Sequence, residues 1–163
     1  AELMFSVGDG FWNSSKTIVI PQYDSLEYTF DAKGVHVGDA AQTALSATLR
    51  YEPIKNLYFK GQIQYFDRYY SDFNPFSLQG ANGGRESWMM PSYTLVNLYA
   101  GYRFKLKEDA LILSGNVINL LNKAFISDAS NNMNGSNQNF DATSSAVMFG
   151  QGLRFNVSLS YQF

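Results

Sequence analysis

The stretch Arg154–Phe163, RFNVSLSYQF, alternates without a break to the last residue. Phe155, Val157, Leu159, Tyr161 and Phe163 are apolar, while Arg154, Asn156, Ser158, Ser160 and Gln162 are polar. Successive side chains of a strand point to opposite faces, so this segment reads as a strand with one apolar and one wet face. Terminal residues usually fray unless something ties them down. Alternation that reaches Phe163 predicts that this end is held.

The same period recurs upstream. Leu45, Ala47, Leu49 and Tyr51 alternate with Ser46, Thr48 and Arg50; Leu57, Phe59, Gly61, Ile63 and Tyr65 alternate with Lys60, Gln62 and Gln64. Val96, Leu98, Ala100, Tyr102, Phe104 and Leu106 form a third set, Leu111, Leu113, Gly115 and Val117 a fourth, and Leu3, Phe5 and Val7 begin a fifth. Tyr58 and Ile112 break the pattern by sitting on the polar side. Six long strands are predicted, over 2–12, 44–53, 57–70, 94–106, 110–120 and 147–163, with no amphipathic helix.

Short and long connections alternate along the chain. Pro53–Asn56 and Lys107–Asp109 read as tight turns, whereas 13–43, 71–93 and 122–146 are long. The first long segment should hold its own hairpin, TIVI and LEYTF, with turns at Gly34 and Gly38. Structureless connections of this length are uncommon in compact soluble domains. They suit a transmembrane β-barrel, which has short turns at one end and long loops at the other. Both tight turns should then share an end with Phe163. Leu49, Ile63, Leu98, Leu113, Val157 and Leu159 should face lipid, and Arg50, Gln62, Asn97, Arg103, Asn116 and Asn156 the lumen.

Composition agrees with this reading. Among 163 residues aromatics make up 16% and charged residues also only 16%, against about 25% charged in average soluble domains. No apolar run approaches the roughly 18 residues of a transmembrane helix, so a membrane reading must be a β reading. Aromatics gather where strands meet connections: Tyr65, Phe66, Tyr69, Tyr70 and Phe73 at one end, and Tyr102, Phe104, Tyr161 and Phe163 at the other. Two interfacial girdles would look like this. Cross-strand aromatic pairs in a soluble β-sandwich are the competing explanation.

Other chemistry finds little purchase. Fourteen acidic and twelve basic residues, the latter scattered, give no nucleic-acid surface. There is no cysteine, hence neither a disulfide framework nor a thiolate metal site. The single histidine, His36, has no G-x-S-x-G partner motif and reads as a loop residue, so no enzyme activity is expected. Asp128 and Asp141 flank the polar run Ser130–Asn139 without EF-hand spacing. No cofactor or metal is expected. The loop NPFSLQGANGGRESWMMPSY, which carries Arg85, Glu86, Trp88 and Met89, is the plausible ligand surface: Arg85 and Trp88, with Tyr69 and Tyr70 at the end of the preceding strand, offer stacking and anion contact.

Five phrases in order, ELMFSVGDGFW, GVHVGDAAQT, LRYEPIKNLYFKGQIQYFDRYYSDFNPFSL, YTLVNLYAGYRF and GNVINLLNKAFISDA, resemble the C-terminal region of TonB-dependent outer-membrane receptors. VGDAAQT with YFDRYYSDF points toward the Bacteroidetes-type members. The resemblance covers essentially the whole chain. It implies an all-β fold, an antiparallel transmembrane β-barrel segment over 1–163 that supplies about six of about 22 strands. Periplasmic turns would be short and extracellular loops long. The first residues carry no secretory signal, and neither plug nor TonB box is visible. The chain is therefore expected to be the C-terminal part of a longer receptor in the bacterial outer membrane. Implied partners are the remaining barrel strands and plug, the TonB complex through the missing N-terminal part, a surface lipoprotein lid, and outer-membrane lipids. Gly152, Tyr161 and Phe163 resemble the terminal signal read by the barrel-assembly machinery. The implied function is uptake of a siderophore, cobalamin, glycan or peptide. The alternative is a complete small outer-membrane barrel of about eight strands with a structural or adhesive role.

In the full-length protein, deleting Phe163 is expected to lower the heat-modifiable folded fraction while leaving uptake per folded molecule nearly unchanged. Unchanged folding with lost uptake would refute the assembly role.

Overall fold

The computed structural model describes residues 1–20, 26–131 and 140–163. The strands are β1 (Glu2–Val7), β2 (Lys16–Ile20), β3 (Leu26–Phe30), β4 (Ala41–Ile54), β5 (Leu57–Tyr70) and β6 (Asp72–Phe73). They continue with β7 (Met89–Met90), β8 (Tyr93–Leu106), β9 (Asp109–Ile118), β10 (Ile126–Asn131), β11 (Ser145–Phe149) and β12 (Arg154–Gln162). The chain is all-β: two single 3₁₀ turns, Pro75–Ser77 and Gly80–Asn82, are the helical pieces among the described residues.

The main sheet runs β1-β4-β5-β8-β9-β12, with β7 pairing the end of β5, and every pairing is antiparallel. Four of the six expected strands match closely. The other two differ. β1 stops at Val7, because Gly8–Gly10 leave the ladder to meet Gln42 and Val37. The expected strand 147–163 is broken at Gly150–Leu153, so that β11 pairs β10 in a second sheet (β11-β10-β6) and only β12 pairs β9. The predicted hairpin is present as β2–β3. Its connecting residues, and most of the polar run Ser130–Asn139, lie outside the described residues.

The connections β4–β5 and β8–β9 tighten to two residues, Lys55–Asn56 and Lys107–Glu108. Each places one residue in the left-handed region, Asn56 at φ 72° and Lys107 at φ 51°. Leu57 pairs with Tyr102 and Gln162 with Ala110, so both turns lie at the same end of the sheet as Phe163, as the alternation predicts. The other end carries the long connections.

Cross-strand register places Leu49, Gly61, Leu98, Val117 and Phe155 in one row, and Arg50, Lys60, Tyr99, Asn116 and Asn156 in the next. Odd and even rows therefore sort the whole sheet into an apolar and a polar face. The apolar face is bare. Val96, Leu111 and Val117, in central strands, are partly exposed, Leu98 and Leu113 are 42% exposed, and Phe5 reaches 82%. With about 4.8 Å between strands and about 3.3 Å per residue, six strands of about ten residues present a face on the order of 900 Å². A soluble monomer's largest apolar patch is about 300–600 Å². A concavity of about 550 Å³ on this face, lined by Leu49, Leu98 and Phe155 among others, lies where Gly61 and Gly115 leave gaps in the rows. It is part of that surface and far from the polar groups at the loop end.

The polar face satisfies itself. Asn97, almost fully buried, donates to Gln62 Oε1 (3.2 Å) and Gln64 Oε1 (3.1 Å), while Asn116 accepts from Asn156 (3.2 Å) and Ser114 meets Ser158 (2.8 Å). Tyr58, an exception to the alternation, lies over Gly101, where a β-carbon would run into its ring. That ring carries the Arg50 guanidinium at 4.2 Å, and Lys60 sits 4.0 Å over Tyr99. Arg50 and Lys60 are direct cross-strand neighbours; the two rings and Glu52, 2.7 Å from Arg50, offset their repulsion.

Asn119 locks the end of β9. It is 1% exposed at φ 52°. Its amide group donates to the carbonyls of Lys123 (2.9 Å) and Gln151 (3.1 Å), its Oδ1 accepts from Lys123 N–H, and its own N–H donates to Asn97 Oδ1 (2.9 Å). Asn119→Ala should therefore leave several buried groups unpaired. A loss of about 1–3 kcal/mol is expected, measured by equilibrium unfolding, and Asn119→Asp should not rescue it, because a carboxylate cannot donate to the carbonyls of Lys123 and Gln151.

Candidate functional site

The long connections pack against one another at the loop end. Val35 and Leu78, both fully buried, and Phe73 form a small core with Ala32 and Phe140 against it. Phe76 makes edge contacts with Phe30 (5.0 Å) and Tyr28 (5.6 Å), which joins the 71–92 connection to the β2–β3 hairpin. Backbone bonds Asp31 N–H to Leu78 O (3.0 Å) and Gly84 N–H to Asp31 O (2.7 Å) complete the joint. This end is built as a unit, as a surface that presents side chains in fixed positions must be.

His36 lies beside this core, next to Val35. Its Nδ1 lies 2.5 Å from Glu86 Oε2, its Nε2 3.3 Å from Asp9 Oδ1, and its backbone N–H donates to Glu86 Oε1 at 3.1 Å. The ring stacks on Tyr70 with centroids 4.2 Å apart and planes 1° from parallel. Burial alone would lower its pKa, but the hydrogen bonds and charges of Glu86 and Asp9 outweigh that, and the value is raised from 6.5. Asp9 also faces Arg68 Nη1 at 3.8 Å. Arg68 adopts φ 50°, uncommon for a residue with a β-carbon. It is held there by bonds to Thr43 Oγ1 (2.9 Å), Gly8 O (2.9 Å) and Gln42 O (3.3 Å).

The four loop residues singled out from sequence do not converge. Tyr69 and Tyr70 are successive strand residues and point to opposite faces of β5, Tyr70 onto His36. Arg85 sits 4.8 Å over Phe140 and reaches Asn82 Oδ1 at 3.2 Å. Trp88 is half-buried, its carbonyl accepting from Ser71 N–H at 2.9 Å. Asp141 is occupied by Thr143, at 2.8 Å from its N–H and 2.6 Å from its hydroxyl, bonds that hold its carboxyl below the usual range. Asp128 lies in β10, where with Asp72 it adds to the effect of burial in raising Asp39. Among the described residues no group of three His, Cys, Asp or Glu side chains is placed to hold a metal. No helix among them is long and apolar enough to cross a membrane, which says nothing of strands.

Sequence reasoning missed an aromatic ledge on the polar face at the loop end. Phe66, Tyr93 and Phe125 stack in series at 5.1 Å and 4.4 Å. Gly150 is needed beside it, because any β-carbon there would overlap the Phe125 ring. A cleft of about 230 Å³ opens beside Tyr93 and Phe125, bordered by Lys123 and Phe149. The pairing of Phe125 with Gly150 spans a long connection, so no local pattern signals it.

Comparison with family models, with curated proteins and with solved structures finds no match. The geometry and the sequence phrases are therefore what bear on function.

Gly152 lies in the break before β12, where Asn122 Oδ1 accepts from Leu153 N–H at 2.9 Å, and a β-carbon at Gly152 would press on that oxygen. Tyr161 donates to Asp109, and Phe163 is fully exposed at the short-turn end. Leu78→Ala should loosen the loop end by about 2–5 kcal/mol of local opening free energy. Amide exchange would read this as lost protection over 71–90 with β9 and β12 unaffected.

Proposed function

We propose that this chain is a membrane-spanning wall segment of a larger outer-membrane β-barrel, a TonB-dependent receptor that imports a nutrient. The observation that carries the reading is the bare apolar face, continuous over six antiparallel strands and opposed by a polar face whose groups pair with one another. Water makes such a face costly, whereas hydrocarbon is its natural neighbour. Two further features support it. β1 and β12 are open edges of the described sheet; open edges are untenable in lipid, so both would pair with further strands of the receptor. Turns of two residues at one end and packed connections at the other match the periplasmic and extracellular ends of such barrels.

On this reading Arg50, Lys60, Tyr99 and Asn116 line the lumen beside the plug, and the Phe66–Tyr93–Phe125 ledge, Arg85 and Trp88 belong to the extracellular mouth. Aromatic faces and a cation suit a ligand that stacks and carries oxygen acceptors or negative charge. A small closed barrel is disfavoured by the two open edges. A soluble sandwich is disfavoured because nothing among the described residues covers the apolar face.

Expressed as its complete gene product, the protein should fractionate with outer membranes and migrate faster unheated than heated on a denaturing gel. Uptake that vanishes without the TonB complex would separate a transporter from a structural barrel. Leu98→Arg should destabilise the folded barrel by about 2–4 kcal/mol if the site lies at the bilayer midplane. Recovery as a detergent-free soluble monomer, tolerant of that arginine, would overturn the proposal.

A further inference from the structure

The two ring nitrogens of His36 each face a carboxylate oxygen, Nδ1 that of Glu86 at 2.5 Å and Nε2 that of Asp9 at 3.3 Å. A neutral imidazole has one N–H, so one of these contacts would set a lone pair against a carboxylate. Imidazolium donates to both. The Tyr70 ring stacked beneath also favours the cation, since a positive charge over an aromatic face is attracted by its quadrupole. The groups facing this site from each packed element are few. Asp9 follows β1, Glu86 comes from the 71–92 connection, and Tyr70 and Arg68 come from the end of β5, with Asp67 beside Arg68. Arg68 opposes protonation, but it is already held by Thr43, Gly8 and Gln42, and its guanidinium faces the Asp9 carboxylate at 3.8 Å.

We propose that His36 is a proton-operated clasp that joins the chain after β1 to the 71–92 connection, pinning the loop that carries Arg85 and Trp88 when protonated and releasing it when neutral. Three segments far apart in sequence meet at this one ring: Asp9 is 27 residues away and Glu86 is 50. Glu86 Oε1 also accepts from the N–H groups of His36 (3.1 Å) and Ser87 (2.9 Å), so its carboxylate fixes backbone on both sides of the joint. Loss of the imidazolium leaves Asp9 and Glu86 both charged across a neutral ring. The sign follows from the raised folded-state value: the clasp is complete below about pH 6 and fades as pH rises through a value above 6.5. The clasp depends on these side chains and not on what the barrel transports.

The test uses the full-length protein in detergent, with the ring-proton resonance of His36 assigned by its loss in His36→Gln. Its titration should lie above 6.5 in the wild type and move down in Glu86→Gln. Amide exchange over 8–12 and 84–88, corrected for intrinsic rates, should lose roughly tenfold protection between about pH 5.5 and about pH 8.5 in the wild type. It should change little with pH in Glu86→Gln, which keeps the shape of the joint and serves alone if His36→Gln fails to fold. A His36 titration at or below 6.5 overturns the clasp. So does wild-type loop protection indifferent to pH, or a pH response that persists in Glu86→Gln.

Discussion

Everything in this fold depends on one constraint: a continuous antiparallel ladder in which each side chain's face is fixed by parity. Because the period is two, the register Leu49, Gly61, Leu98, Val117, Phe155 commits every other row at once. A slip of one residue would carry Arg50, Lys60 and Asn116 onto the apolar side. The two-residue turns at Lys55–Asn56 and Lys107–Glu108 leave no slack for such a slip. The apolar face and its lack of cover follow from the ladder, and so does the proposal that hydrocarbon supplies the cover.

The polar face answers a different demand. Buried polar groups must be paired. Here the pairing is made largely within the sheet: Asn97 with Gln62 and Gln64, Asn116 with Asn156, Arg50 with Glu52 and Tyr58. The central polar residues of this face rely on each other.

The loop end is organised by long-range contacts of two kinds. A small apolar core around Leu78 and Val35 gives the connections bulk cohesion that is indifferent to pH, and the His36 cluster adds a charged joint that is not. Apolar contacts decide that these connections pack, and charge decides how firmly the residues around Glu86 are held.

The sequence by itself determined the strands, their faces and the shared end of the short turns, because alternation is a local property readable in any window of six to ten residues. It also marked its own exceptions without explaining them; Tyr58 needed Gly101, its partner across β5–β8, to make sense. Tertiary structure decided where alternation yields to something stronger. β1 ends at Val7 because Gly10 is captured by Gln42, and β11 separates from β12 because Asn119 and Asn122 seize the backbone near Gln151 and Leu153. His36 read as an ordinary loop histidine because its carboxylate partners lie 27 and 50 residues away, and only folding brings them to its two nitrogens.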